Sequence, residues 1–141
     1  MTPEEALGSY IECLTNLKAD NLEKLSIHLS DNVVFRDPFH NVQGIEKMER
    51  IFHRLFDAVY SIEYQVLDQA INKDGGYFSW ILNGNLAGKL WHIHGVTHVT
   101  FDNHLKVSKH IEYWDAASQI YERLPVIGWL LGFFRRRITG A

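Results

Sequence analysis

YFSWILNGNLAGKLWHIHGVTHVTF, residues 77–101, decides the fold. Phe78, Trp80, Leu82 and Leu86 stand on one parity, Ser79, Asn83 and Asn85 on the other. After Gly88-Lys89 the pattern resumes, with Trp91, Ile93, Thr97, Val99 and Phe101 set against His92, His94 and His98. Successive side chains of a strand point to opposite faces, so both runs read as strands with one apolar face, joined by a hairpin. The three histidines are expected to look outward.

Alternation continues on both sides of this stretch. Ser61 to Asn72 reads as a preceding strand and Leu105 to Trp114 as a following one, with turns at Lys73-Asp74-Gly75-Gly76 and Asp102-Asn103-His104. Upstream the period lengthens. Ile45, Met48, Ile51, Phe52, Leu55, Phe56 and Val59 form one stripe of an amphipathic helix after Gly44. Val33-Val34-Phe35 reads as a short strand that Asp37-Pro38 ends, and Leu22, Leu25 and Leu29 mark a short helix before it. Thr2-Pro3-Glu4-Glu5 is a capping box with proline at the first helical position, which starts a helix running to about Leu17. Helices followed by an antiparallel meander give an α+β class and exclude a parallel doubly wound sheet.

A chain of 141 residues, 46% of them hydrophobic, suits one domain that buries its core without disulfides or metals. A single domain over residues 1–141 is expected, with its core at about 2–115. The net charge of -3, from 14 basic and 17 acidic side chains, supplies no general cationic surface, so nucleic acid is not an expected partner. Cys13 stands alone, and the acidic N-terminus lacks the basic-then-apolar pattern of a secretory signal; a cytoplasmic home is expected. Aromatic residues at 13%, four of them Trp, also suit the walls of a ligand pocket.

An apolar helical tail is expected at 116–138. Its run Leu124 to Phe134, closed by Arg135-Arg136-Arg137, is too short for a bilayer, which needs about 20 apolar residues. Two readings stay open: an element that closes the domain or packs in a dimer interface, or an interfacial anchor at 124–137 whose arginines meet anionic lipid.

The last strand carries Leu105, Val107, Ile111 and Tyr113 on one parity, Ser108, His110, Glu112 and Trp114 on the other. A two- or four-residue turn would pair Phe101 with Lys106 and Thr97 with His110. That register puts His110, Glu112 and Trp114 on the face of Trp80, Ile93 and Thr97. A bulge would change it.

The element order, the Asp37-Pro38 after a short strand, and His110-Ile111-Glu112-Tyr113-Trp114-Asp115 closing the meander resemble the ketosteroid-isomerase-like and nuclear-transport-factor-2-like superfamily. The likeness is to its SnoaL-like, polyketide-cyclase-like branch, over about residues 2–115. It implies a cone-shaped roll, with N-terminal helices packed on a curved, mostly antiparallel sheet that encloses a pocket for a small, largely apolar molecule. It also implies a homodimer through the outer sheet face, near His92, His94 and His98.

In steroid isomerases the aspartate of that Asp-Pro is the general base, which puts Asp37 in the role. Beside Phe35 and Phe39 a partly desolvated carboxylate suits it, and a plain turn cap is the alternative. The oxyanion donors of steroid isomerases fall by ungapped counting on Cys13 and Thr97, neither an equivalent donor, so steroid isomerisation itself is disfavoured. Tyr10, one turn before Cys13, is a substitute or a packing residue. His110 and Glu112 form either a proton-transfer pair or a satisfied pair at the pocket rim, with Trp80 and Trp114 as wall.

Asp37, His110 and Glu112 are thus the catalytic candidates, and Tyr10, Trp80, Thr97 and Trp114 the ligand-binding ones. No cofactor motif is present: Gly75-Gly76 fits a hairpin turn. His92, His94 and His98 have no carboxylate or cysteine nearby in sequence to complete a metal site.

Overall fold

The structure is a computed structural model that describes residues 1–116 and 125–139. The first helix, α1 (Pro3–Thr15), starts as its sequence dictates: Thr2 Oγ1 accepts from the Glu5 amide at 3.1 Å, and Glu5 returns the bond to the Thr2 amide at 3.0 Å. A 3-10 helix spans Leu22–Ile27. Then come β1 (Leu29–Arg36), β2 (Asn41–Gln43), α2 (Ile45–Ala58), β3 (Val59–Ile71), β4 (Gly75–Leu86), β5 (Lys89–Phe101), β6 (Val107–Trp114) and α3 (Pro125–Thr139). This is a mixed α+β chain with one six-stranded sheet in the order β2-β1-β6-β5-β4-β3.

Strands β3 to β6 form the expected meander. β1 was expected to be shorter, and β2 was not expected at all. β1 pairs parallel to β6, setting Phe35 beside His110, and antiparallel to β2. The helix expected over 116–123 lies outside the described residues, except for Ala116.

The β5–β6 register corrects the sequence reading. Thr97 faces Glu112 and Val99 faces His110, because the turn pairs Phe101 with Val107 instead of Lys106 and Ser108 then bulges before the pair Thr100–Lys109. The slip is two residues, so parity survives. His110, Glu112 and Trp114 do share the inner face, while His92 and His94 are exposed on the outer one. The bulge also turns Val107, expected on the other parity, into the core.

The core joins Leu7, Tyr10, Ile11 and Leu14 of α1 to Val33 and Phe35 of β1 and to Phe78, Trp80, Ile93 and Val99 of the sheet. The stripe of α2 is different. Only Met48 is buried, and Ile51, Phe52 and Leu55 remain half-buried. A helix this amphipathic ordinarily buries its stripe; here those three side chains roof a cavity.

Candidate functional site

Between α1, α2 and the inner sheet face lie two cavities that share Phe52, Leu55, Trp80, Leu82 and Glu112 as walls. The narrow lobe, about 90 Å³, also touches Leu14, Ile62, Tyr64 and His110. The wide lobe, about 230 Å³, adds Phe35, Asp37, Ile51, Trp91, Ile93 and Trp114, and opens where Phe39 and Arg54 are exposed. An apolar cavity of about 150 Å³ holds a benzene ring. The wide lobe is larger than that.

A hydrogen-bonded chain runs from α1 through the wall into both lobes. Tyr10 Oη lies 2.7 Å from His110 Nδ1, and His110 Nε2 lies 3.0 Å from Glu112 Oε1. A carboxylate only accepts, so the proton between His110 and Glu112 sits on Nε2, and in that tautomer Nδ1 accepts the Tyr10 hydroxyl. Tyr10 and His110 are buried to 0% and 1% exposure, and Phe35 and Phe52 box the imidazole at ring distances of 5.2 and 6.3 Å. Burial, then the nearby Glu112 charge, push the Tyr10 phenol well above its ordinary value, so it stays a donor. Oε1 of Glu112 is held by His110, and among the described residues no protein group bonds Oε2.

Tyr10→Phe tests the chain. The buried Nδ1 would lose its donor, at a cost of about 1–3 kcal/mol. Chemical denaturation of the variant should find a loss in that range; a variant as stable as its parent would place a water at Nδ1.

Asp37 is committed to its own turn. Its Oδ1 accepts the amides of Phe39 and His40 at 2.8 and 2.7 Å, and both carboxylate oxygens contact His40 Nδ1, at 2.9 and 3.1 Å. That is the turn cap before proline which the sequence left open. The carboxylate still lines the wide lobe.

Of the sequence candidates, Asp37, Trp80, Glu112 and Trp114 line the wide lobe and His110 the narrow one. Tyr10 and Thr97 line neither lobe. They stand behind the wall, Tyr10 bonded to His110 and Thr97 accepting the Trp80 indole N–H at 2.8 Å.

Three lining residues were missed. Phe52 was read only as part of a helical stripe and Trp91 only as apolar face. Tyr64 was not singled out; it packs on Trp80 with ring centroids 5.6 Å apart. Burial and then Glu112 raise its phenol well above the usual value, keeping it a neutral hydroxyl at the narrow lobe.

The SnoaL-like domain model matches residues 9–110, most of the chain. The chain belongs to the SnoaL-like domain family. No curated protein sequence matches it. Among solved structures it is similar to a nuclear-transport-factor-2-like protein of unknown function from Burkholderia pseudomallei. The TM-score is 0.73 and the identity 11%, over 85% of this chain and 96% of that one. A nuclear-transport-factor-2-like protein from Anabaena variabilis gives 0.72 at 18% identity, over 82% and 94%. A protein with a ketosteroid-isomerase-like fold from Catenulispora acidiphila, in complex with trimethylamine, gives 0.71 at 12%, over 84% and 92%.

These identities establish a shared fold. The match of the SnoaL-like model ends at His110, so Glu112 and Trp114 lie just beyond it. Among the described residues no group of His, Cys, Asp or Glu has the geometry to hold a metal ion, and no helix is long and apolar enough to cross a membrane.

Proposed function

We propose that this SnoaL-like domain holds a small, largely apolar cyclic ketone in its cone and moves a proton next to the carbonyl, with Glu112 as the base. The carrying observation is the free Oε2 of Glu112, a carboxylate that lines both lobes while His110 and Tyr10 fix its other oxygen from behind. The C–H proton passes to Oε2, the C–H bonding pair becomes the C=C bond of an enolate as the carbonyl π pair moves onto oxygen, and Glu112 returns the proton to the same or a conjugated carbon. No cofactor takes part. Asp37 is the second carboxylate on the wide lobe, and its amide-bonded turn favours a role in shaping the mouth.

The experiment is hydrogen–deuterium exchange of 2-tetralone in heavy water, followed by proton NMR at the carbons flanking the carbonyl. The expected result is exchange well above the buffer rate. Binding without exchange would leave a non-catalytic ligand-binding module, and no binding would end the pocket reading.

A homodimer through the outer sheet face is part of the same proposal, supported by the exposure of Tyr77, Val96 and Tyr113 there.

One observation favours a second, additional role at a membrane surface. α3 exposes Trp129, Leu130, Phe133, Phe134 and Ile138, and Arg135 to Arg137 follow that aromatic cluster. Exposed aromatic rings beside arginines suit the headgroup region of an anionic bilayer. Removing residues 124–141 should abolish co-sedimentation with vesicles rich in phosphatidylserine and leave the circular dichroism of the domain in place. Equal sedimentation of the two forms would remove this role.

A further inference from the structure

An oxygen that gains negative charge in a closed site needs a hydrogen-bond donor aimed at it, and a donor already bonded within the protein cannot serve. Most donors around the two lobes are spent. The Tyr10 hydroxyl is bonded to His110, the Trp80 indole to Thr97, His110 Nε2 to Glu112 and the Thr15 hydroxyl to the Glu12 carbonyl. The Trp91 nitrogen has no partner, but it is buried out of reach. Arg54 stands exposed at the mouth.

Tyr64 is different. Among the described residues no group bonds its hydroxyl, and the oxygen keeps surface that water can touch. Its ring packs on Trp80 and lines the narrow lobe together with His110 and Glu112. It stands on β3 at the edge of the sheet, three strands from Glu112 on β6. Even so, the groups that raise its phenol after burial are Glu112 and Tyr10, both inside the cone. The hydroxyl thus points inward and not out past the edge.

We infer that the Tyr64 hydroxyl donates to the carbonyl oxygen of the guest and holds it while that oxygen takes the enolate charge, so the carbonyl end enters the narrow lobe and the rings lie in the wide one. The inference rests on the proposal that Glu112 is the base, and adds where the charge goes. Glu112 lines both lobes, so its Oε2 can meet a carbon beside a carbonyl held at Tyr64. The proton leaves carbon for Oε2 and the negative charge settles on the carbonyl oxygen. Tyr64 lends a hydrogen bond and keeps its own proton, which burial and Glu112 hold in place. The narrow lobe, about 90 Å³, is below the roughly 150 Å³ that holds a benzene ring, so it suits a carbonyl edge and not the rings.

The test is Tyr64→Phe in the full chain. Protein-catalysed deuterium exchange of 2-tetralone should slow by about 10²–10³-fold, which is what one such donor supplies. The hydroxyl removed has no partner in the protein, so the variant should melt with its parent.

Infrared spectroscopy of bound 2-tetralone, carbon-13 labelled at the carbonyl, reads the contact without turnover. A donated hydrogen bond weakens the C=O bond, so the stretch should lie at lower frequency in the parent than in Tyr64→Phe.

Exchange in Tyr64→Phe within about threefold of the parent overturns the inference and leaves Glu112 standing as the base. So does a carbonyl stretch that the substitution does not move. If the parent exchanges no deuterium, the base reading and the inference fall together, and if it binds no 2-tetralone the pocket reading falls with them.

Discussion

Glu112→Gln should slow protein-catalysed deuterium exchange of 2-tetralone by a factor of about 10²–10⁴, the range a positioned general base contributes. Glutamine nearly matches glutamate in volume, and its amide oxygen still accepts from His110 Nε2, so the chain back to Tyr10 at 2.7 and 3.0 Å stays closed. What the amide cannot do is take a proton. 2-Tetralone affinity should therefore change by no more than about threefold while the rate collapses, which separates loss of chemistry from loss of the site. Asp37→Asn supplies the contrast, since asparagine can keep accepting the Phe39 and His40 amides that Asp37 Oδ1 accepts. If Asp37→Asn silences exchange and Glu112→Gln does not, the base is Asp37 and the assignment to Glu112 is wrong.

The difference between these two carboxylates was only partly legible in the sequence. Asp37 before Pro38 announced a turn, and the backbone amides that occupy it follow from that local pattern. Glu112 depended on a register that the turn before β6 and the Ser108 bulge each shift by one residue, and only the evenness of the combined shift kept it on the inner face. A slip of one would have turned His110 and Glu112 toward the outside.

The long strands were readable because ten or more residues repeat a period of two, while β2, at three residues, is too short to repeat anything. Its pairing with β1, like the parallel pairing of β1 with β6, joins segments by contacts that no local pattern encodes. Tyr64 escaped for a related reason. Strand β3 breaks register between Tyr60 and Glu63 and again between Val66 and Asp68, so no single parity holds along it. The cavities left a faint trace, in that the apolar stripe of α2 is stronger than its burial requires.

Gly95→Ala should be the most damaging single methyl group on the cavity wall. Gly95 pairs with Trp80 across β4 and β5, and a Cβ there would stand 2.5 Å from Cζ2 and 2.8 Å from Cη2 of the indole. Carbon atoms in contact sit at about 3.5–4.0 Å, so the ring must move. It is poorly placed to do so: Trp80 is 3% exposed, is bonded to Thr97 at 2.8 Å and packs on Tyr64. Overpacking of this kind costs typically 1–3 kcal/mol, and stretching the Trp80–Thr97 bond adds to it, so a loss near the upper end, about 3 kcal/mol, is expected. Because Trp80 lines both lobes, 2-tetralone affinity should fall by more than about tenfold in the same variant. Gly8→Ala on α1 is the matched control. No atom lies within 4 Å of its added methyl group, and replacing a helical glycine with alanine should stabilise by about 0.5–1 kcal/mol. Thermal melts and titrations of the pair decide the matter. If Gly95→Ala melts with its parent and binds 2-tetralone as well, Trp80 is free to swing aside, and the cavity wall is softer than its hydrogen bond and packing imply.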